Sequence, residues 1–167
     1  MLYHSSNSQC HPNCYFEQPA EKLVLQGYRY WTYGWTNFSE PHLAKGWALH
    51  TRLIENESHA REVLDALSLF VKVLDKCASC PLKALPVNTH SVSRDEGLVL
   101  GLISSIQNGN DDLAEKCLAH LTCASRCAEV AGVAERYATT LRSLDHKLQP
   151  IPSQAIDELL APSLSIH

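Results

Sequence analysis

SHAREVLDALSLFVKVLDKCA, residues 58–78, is the stretch whose spacing decides the fold. Ala60, Leu64, Leu67, Val71, Leu74 and Ala78 recur at alternating steps of four and three residues, and Val63, Phe70 and Cys77 widen the stripe. That spacing makes one face of a 3.6-residue helix continuously apolar, as a helix with a core to cover must be. Ser58 is the expected N-cap. Pro81 is the expected stop, because proline disfavours the α conformation in the residue before it.

Working back towards the N-terminus, Ser39 is expected to cap a helix whose first turn holds Glu40 and Pro41, both favoured there. Leu43, Trp47, His50 and Ile54 then share one face, ending near Asn56. Earlier still, Val24, Gly27, Tyr28 and Trp31 follow the helical spacing and predict a first helix from Ala20 to about Gly34. The aromatic run Tyr28–Trp35 would also suit a strand. Residues 1–19 are polar and irregular and read as an N-terminal arm.

Towards the C-terminus, residues 80–92 carry prolines without periodicity and predict an ordered loop. Ser93-Arg94-Asp95-Glu96 is a capping box, in which serine oxygen and glutamate carboxylate each take a free amide of the first turn. The helix it opens carries Leu98, Val99, Leu102, Ile103 and Ile106 and stops at Asn108-Gly109. Gly97 and Gly101 cost it about 1 kcal/mol each against alanine. They fall on one side, where another helix can approach closely. Asn110 or Asp111 starts the next helix, with Leu113, Cys117, Leu118 and Leu121 inward. The apolar phase then shifts to Cys127, Val130, Ala131, Ala134, Ala138 and Leu141, which predicts a break at Thr122–Ser125 with Ser125 as a cap. Pro150 and Pro152 end that helix, and Ser153–Leu160 suits one short helical piece.

The expected architecture is all-α, a single-domain antiparallel bundle of five or six helices. The arm spans 1–19, the bundle 20–149, and a C-terminal tail with a short helix 150–167.

Composition narrows the function classes. The chain has 167 residues, 45% of them hydrophobic, with a net charge of −4. Its 14 Lys and Arg are scattered, which argues against nucleic acid as a partner. No apolar run is long enough to span a bilayer, and the N-terminus lacks the basic start and apolar core of a signal peptide. A soluble, cytoplasmic protein is therefore expected, in which seven cysteines stay reduced.

No phosphate loop, dinucleotide fingerprint, HExxH pair or GxSxG elbow is present. The sharpest constellation is Cys77-x-x-Cys80 with Cys123-x-x-x-Cys127, where thiolates near two helix ends can converge on zinc or iron, and His120 can replace one of them. The intervening stretch is longer than in a zinc ribbon, and Cys77, Cys117 and Cys127 sit on apolar stripes, so buried thiols are the plainer reading. Cys10 and Cys14, with His4 and His11, form a second group in the arm. Trp31, Trp47 and His50 are the candidate lining of a ligand pocket, against the plainer reading of aromatic core mass and an interior histidine. Asp95-Glu96 and Asp111-Asp112 lie at helix starts, where the dipole alone accounts for them. No residue stands out as catalytic.

The order Gly27-Tyr28-Arg29-Tyr30-Trp31, Trp47, Ser93-Arg94-Asp95-Glu96, Leu102-Ile103 and Gln107-x-Gly109 resembles an uncharacterised family of small helical bacterial proteins, over residues 23–121. The resemblance implies the helical fold and brings no activity or site with it. Three functional readings stay open. The first is a non-enzymatic adaptor or regulator that binds another protein, or itself as a homodimer. The second is a metal- or redox-responsive protein using the paired cysteines. The third is a small ligand-binding protein or enzyme built around Trp31, Trp47 and His50.

Overall fold

Asn56, not Ser58, caps the helix that decides the fold. Its side chain accepts the amide of His59 at 3.1 Å, and Ser58 lies one residue inside the first turn. Both residues suit a cap, and the one that precedes the first helical φ/ψ takes the role. The computed structural model describes residues 18–162, which form seven α-helices. These are α1 (Pro19–Thr36), α2 (Glu40–Leu53), α3 (Glu57–Cys77), α4 (Arg94–Asn108), α5 (Asp111–Leu121), α6 (Cys127–Ser143) and α7 (Ser153–Leu160). The expected arm lies outside the described residues except for Gln18 and Pro19, the latter opening α1. No helix among the described residues is long and apolar enough to cross a membrane.

The helices pack as a bundle in which α3 lies along α6, α1 along α2 and α4 along α5 and α6. The α3 stripe supplies the centre: Leu67, Phe70 and Leu74 are fully buried. Facing them from α6 are Val130, Ala134, Tyr137 and Leu141, and the rings of Phe70 and Tyr137 stack at 5.9 Å between centroids. Helix, not strand, is the outcome for the aromatic run of α1, because its apolar side covers α2 and α3.

Ser93 and Glu96 form the expected capping box, with Ser93 Oγ accepting the Glu96 amide at 3.1 Å and Glu96 Oε2 the Ser93 amide at 3.0 Å. Helix α4 ends at Gly109 in the left-handed region, φ 71°. The notch made by Gly97 and Gly101 receives α7. A Cβ on Gly101 would lie 2.7 Å from Ile156 Cδ1, and one on Gly97 would lie 2.3 Å from Leu159 Cδ1. Ile156 is fully buried there, so the helix of the expected tail completes the core.

Three boundaries differ from expectation. Helix α6 ends at Ser143, well before Pro150, because Asp145 takes positive φ (62°) and the His146 amide closes on the Leu141 carbonyl at 2.9 Å. Helix α3 stops at Cys77, before Pro81, because Ala78 pairs with Thr122 in an isolated antiparallel bridge. Ser125 caps nothing: it sits in a 3₁₀ turn over Ala124–Arg126, and α6 starts at Cys127.

Candidate functional site: the α1–α2 turn and the grooves beside it

Helix α1 reverses into α2 through three residues, Asn37, Phe38 and Ser39. The Ser39 amide bonds to the carbonyl of Gly34 at 2.9 Å, the six-to-one bond of a Schellman turn. Such a turn needs one residue with positive φ, and glycine is the usual occupant. Three helix ends here use the same bond: Asn110 to Ser105, His146 to Leu141, and Ser39 to Gly34. At two of them the left-handed residue is Gly109 or Asp145, chemically suited to it. At the third it is Phe38, φ 51°, with 90% of its surface exposed. The aromatic ring thus sits on a strained backbone with no burial to offset the strain.

Tyr33 and Trp35, in the last turn of α1, are 49% and 41% exposed. Tyr33 lies against the His42 imidazole at 4.1 Å, and His42 Nδ1 shares a 2.8 Å hydrogen bond with Ser39 Oγ, which diverts Ser39 from capping α2. Trp35 lies under Lys72, whose ammonium is 4.4 Å from the ring centroid. Leu69, one turn before Lys72, is also exposed. Three of the four large exposed hydrophobic side chains among the described residues therefore fall within Tyr33–Phe38.

From this turn a groove of about 640 Å³ runs between α1, α2 and the loop 82–88, past Tyr33, His42 and Lys45. A second, of about 550 Å³, continues it beyond Tyr30 to Lys22, Arg52 and His90. Tyr30, Val87 and Asn88 line both. Neither is enclosed. The loop wall is held by a buried ion pair beneath it. Arg29 donates to both carboxylate oxygens of Glu96, at 2.7 and 2.9 Å, and to the carbonyls of Thr89 at 2.9 Å and Ser91 at 2.7 Å. Glu96 also accepts the Leu85 amide at 2.8 Å. A loop with almost no regular backbone pairing of its own is thus fixed through side chains, since Asp95 also accepts the Lys83 amide and Ser93 Oγ donates to the Lys83 carbonyl, both at 2.9 Å.

The sequence candidates Trp31, Trp47 and His50 do not line either groove. Trp31 and Trp47 are half-buried against the core, and the Arg61 guanidinium lies 5.6 Å from the Trp47 ring. His50 is fully buried. Its Nδ1–H donates to the Gly46 carbonyl at 2.7 Å, which leaves Nε2 as an unprotonated acceptor without a hydrogen-bond partner. Burial pushes its pKa below the ordinary value, so it stays neutral. Gly27 makes room for it, since a Cβ there would stand 3.0 Å from His50 Cε1.

One cysteine of each pair, Cys77 and Cys123, meets the other through the backbone. The Ala78–Thr122 bridge sets Cys123 opposite Cys77, with the Cys123 amide bonded to the Cys77 carbonyl at 3.1 Å. Their sulfurs have different partners: Cys77 Sγ faces Glu129 Oε2 at 3.7 Å and Arg126 at 4.0 Å, and Cys123 Sγ faces the Ala78 carbonyl at 3.9 Å. Cys127 Sγ shares a 2.9 Å contact with Thr122 Oγ1, while Cys80 and His120 are exposed. Among the described residues no three His, Cys, Asp or Glu side chains converge in a way that would hold a metal ion. Cys117 is buried beside Gly101, and burial pushes its thiol up to about 12. Cys10, Cys14, His4 and His11 lie outside the described residues.

No family model matches the chain, and no curated protein or solved structure is significantly similar to it.

The residues of this site were mostly silent in the sequence. Phe38 reads as one polar-flanked aromatic, and only the shortness of the link between two helices signals that a residue there must take positive φ. Arg29 looks like a surface cation in an aromatic run, because its partner is 67 residues away.

Proposed function

We propose that this chain is a non-enzymatic helical adaptor or regulator that binds another protein at its α1–α2 end. One observation carries the reading: Phe38, an aromatic residue almost wholly exposed on a left-handed backbone that suits glycine. A non-glycine residue there costs roughly 1–2 kcal/mol, and strain of this kind without a folding benefit points to use. Exposed aromatics are the usual anchors of protein interfaces, where their large rigid rings bury much area at small entropic cost. Replacing Phe38 by the photoreactive p-benzoylphenylalanine tests the reading. A specific adduct with one protein is expected in cells that make the chain, absent when the probe replaces exposed Lys147. An adduct formed in the purified protein alone makes the partner a second copy, the homodimeric form of the same reading. No adduct beyond that from position 147 overturns it.

A second reading, a redox-responsive protein, is favoured by the register that sets Cys123 opposite Cys77. Directly opposed residues of an antiparallel bridge have Cα atoms about 5.5 Å apart, within the range a disulfide spans. Peroxide would oxidise exposed Cys123 to the sulfenic acid, releasing water. The Cys77 sulfur would then displace a second water to form the S–S bond. Peptide mapping after one equivalent of hydrogen peroxide should find the 77–123 bond. Pairing of Cys80 instead, or no disulfide, removes this reading.

A further inference from the structure

The two grooves form one trough along α1, from Lys22 past Tyr30 to Thr36. At roughly 1.5 Å per helical residue its length is about 21 Å, which accommodates about six residues of extended chain at roughly 3.3 Å each. The described lining contains Lys22, Lys45 and Arg52, the imidazoles of His42 and His90, and no Asp or Glu. Arg29 lines the floor, but its charge is matched by Glu96. Lys22, Lys45 and Arg52 have no ion pair among the described residues, although the chain has a net charge of −4. A carboxylate-free strip on an acidic protein is a local field of opposite sign, which selects anionic partners.

We infer that the trough receives an extended acidic peptide segment of the partner protein, its carboxylates on Lys22, Arg52 and Lys45 and its apolar side chains on Tyr30 and Tyr33. Three features favour this occupant. The trough is an elongated, only half-enclosed groove, unlike the concave pockets that bury most of a small ligand. Its walls are a helix and an extended loop, Leu82–His90, held in place by Arg29 and Glu96, so little ordering cost remains to be met on binding. The chain's own residues 1–17 suit it poorly, since they hold a single carboxylate, Glu17, beside His4 and His11. The inference rests on the reading of the chain as a protein-binding module and names the chemistry of what it binds.

Fluorescence anisotropy with the full chain tests it, using a labelled eight-residue peptide of alternating Glu and Leu and its Lys–Leu counterpart. The Glu–Leu peptide should bind, and the Lys–Leu peptide should not. The double variant Lys22→Glu/Arg52→Glu, at two exposed positions, should weaken binding at least tenfold with its circular dichroism unchanged. Raising salt from low to high concentration should weaken it as well. Equal binding of the two peptides, or unchanged affinity in the double variant, overturns the inference. So does full displacement by millimolar inorganic phosphate or ATP, which would make this a small-anion site, or by an equimolar peptide of residues 1–17, which would make the occupant the chain's own arm. Failure here alongside a Phe38 adduct sinks the acidic-segment inference alone. Loss of the adduct with peptide binding intact sinks the turn as the contact and keeps the trough.

Discussion

The Arg29 guanidinium and the Glu96 carboxylate meet through two hydrogen bonds, Nε to Oε1 at 2.7 Å and Nη2 to Oε2 at 2.9 Å, and neither side chain reaches solvent. Around this pair the remaining donors and acceptors are taken by loop backbone, so α1, the loop 82–92 and the start of α4 share one polar centre. A buried ion pair adds little over well-packed apolar side chains, but removing one partner leaves a charge stranded. Its value here is that it fixes a loop that hydrophobic packing alone would leave loose.

Arg29→Met should therefore destabilise the fold by about 3–5 kcal/mol, because it leaves the buried Glu96 carboxyl without its partner. Chemical denaturation reads the loss, and amide exchange should show Leu85 and Ser93 losing protection first. A loss under about 1 kcal/mol would mean the pair is dispensable and the loop is held by other contacts.

Phe38→Gly should raise stability by roughly 1 kcal/mol, the relief of a side chain from left-handed backbone less the extra freedom of glycine in the unfolded chain. The same change should abolish the adduct partner's affinity. A variant that is less stable than wild type would show that the ring contributes packing.

Leu67→Ala should cost about 2–5 kcal/mol, since Leu67 is fully buried at the centre of the α3 stripe and its removal leaves a cavity. Leu69→Ala, two residues on and exposed, should stay within about 0.5 kcal/mol. Equal effects in urea unfolding would refute the assignment of the α3 face.

Stability should fall as pH drops below about 6.5. His50 and His146 both have pKa values lowered from the ordinary 6.5, chiefly by burial, so the folded state binds fewer protons than the unfolded state. Each contribution is whole above 6.5 and is lost progressively from there down to the folded-state value. His50→Gln, which keeps a polar side chain but cannot titrate, should flatten the slope between pH 6.5 and 5 in thermal unfolding. An unchanged slope would assign it to other groups.

What could be read in advance was local. The helix over 94–108 follows from a serine and a glutamate three residues apart and from Gly109, and a capping box closes within one turn whatever else the chain does. The α3 stripe follows from its own period. Gly97 and Gly101 announced a close approach without naming the visitor, because a notch is a property of one helix and the helix that fills it, α7, is a property of the whole fold.

The candidate site is less legible in the sequence. Trp31, Trp47 and His50 stand out by residue type, yet packing turns them inward or sideways, and nearby residues at a different helical phase, Tyr30 and Tyr33 in α1 and His42 in α2, line the groove. A single-residue change in helical phase moves a side chain by about 100°, so short aromatic runs do not say which ring will face out.

The sequence by itself determined the helices and most of their caps, because backbone hydrogen bonds, capping and amphipathic period all act over four residues or so. Only the tertiary structure decided that Arg29 meets Glu96, that Cys123 stands opposite Cys77, and that Phe38 bends backwards into solvent. The first two are pairings across 67 and 46 positions, set by how packed helices align their ends, and the third is forced where α1 and α2 must turn antiparallel within three residues.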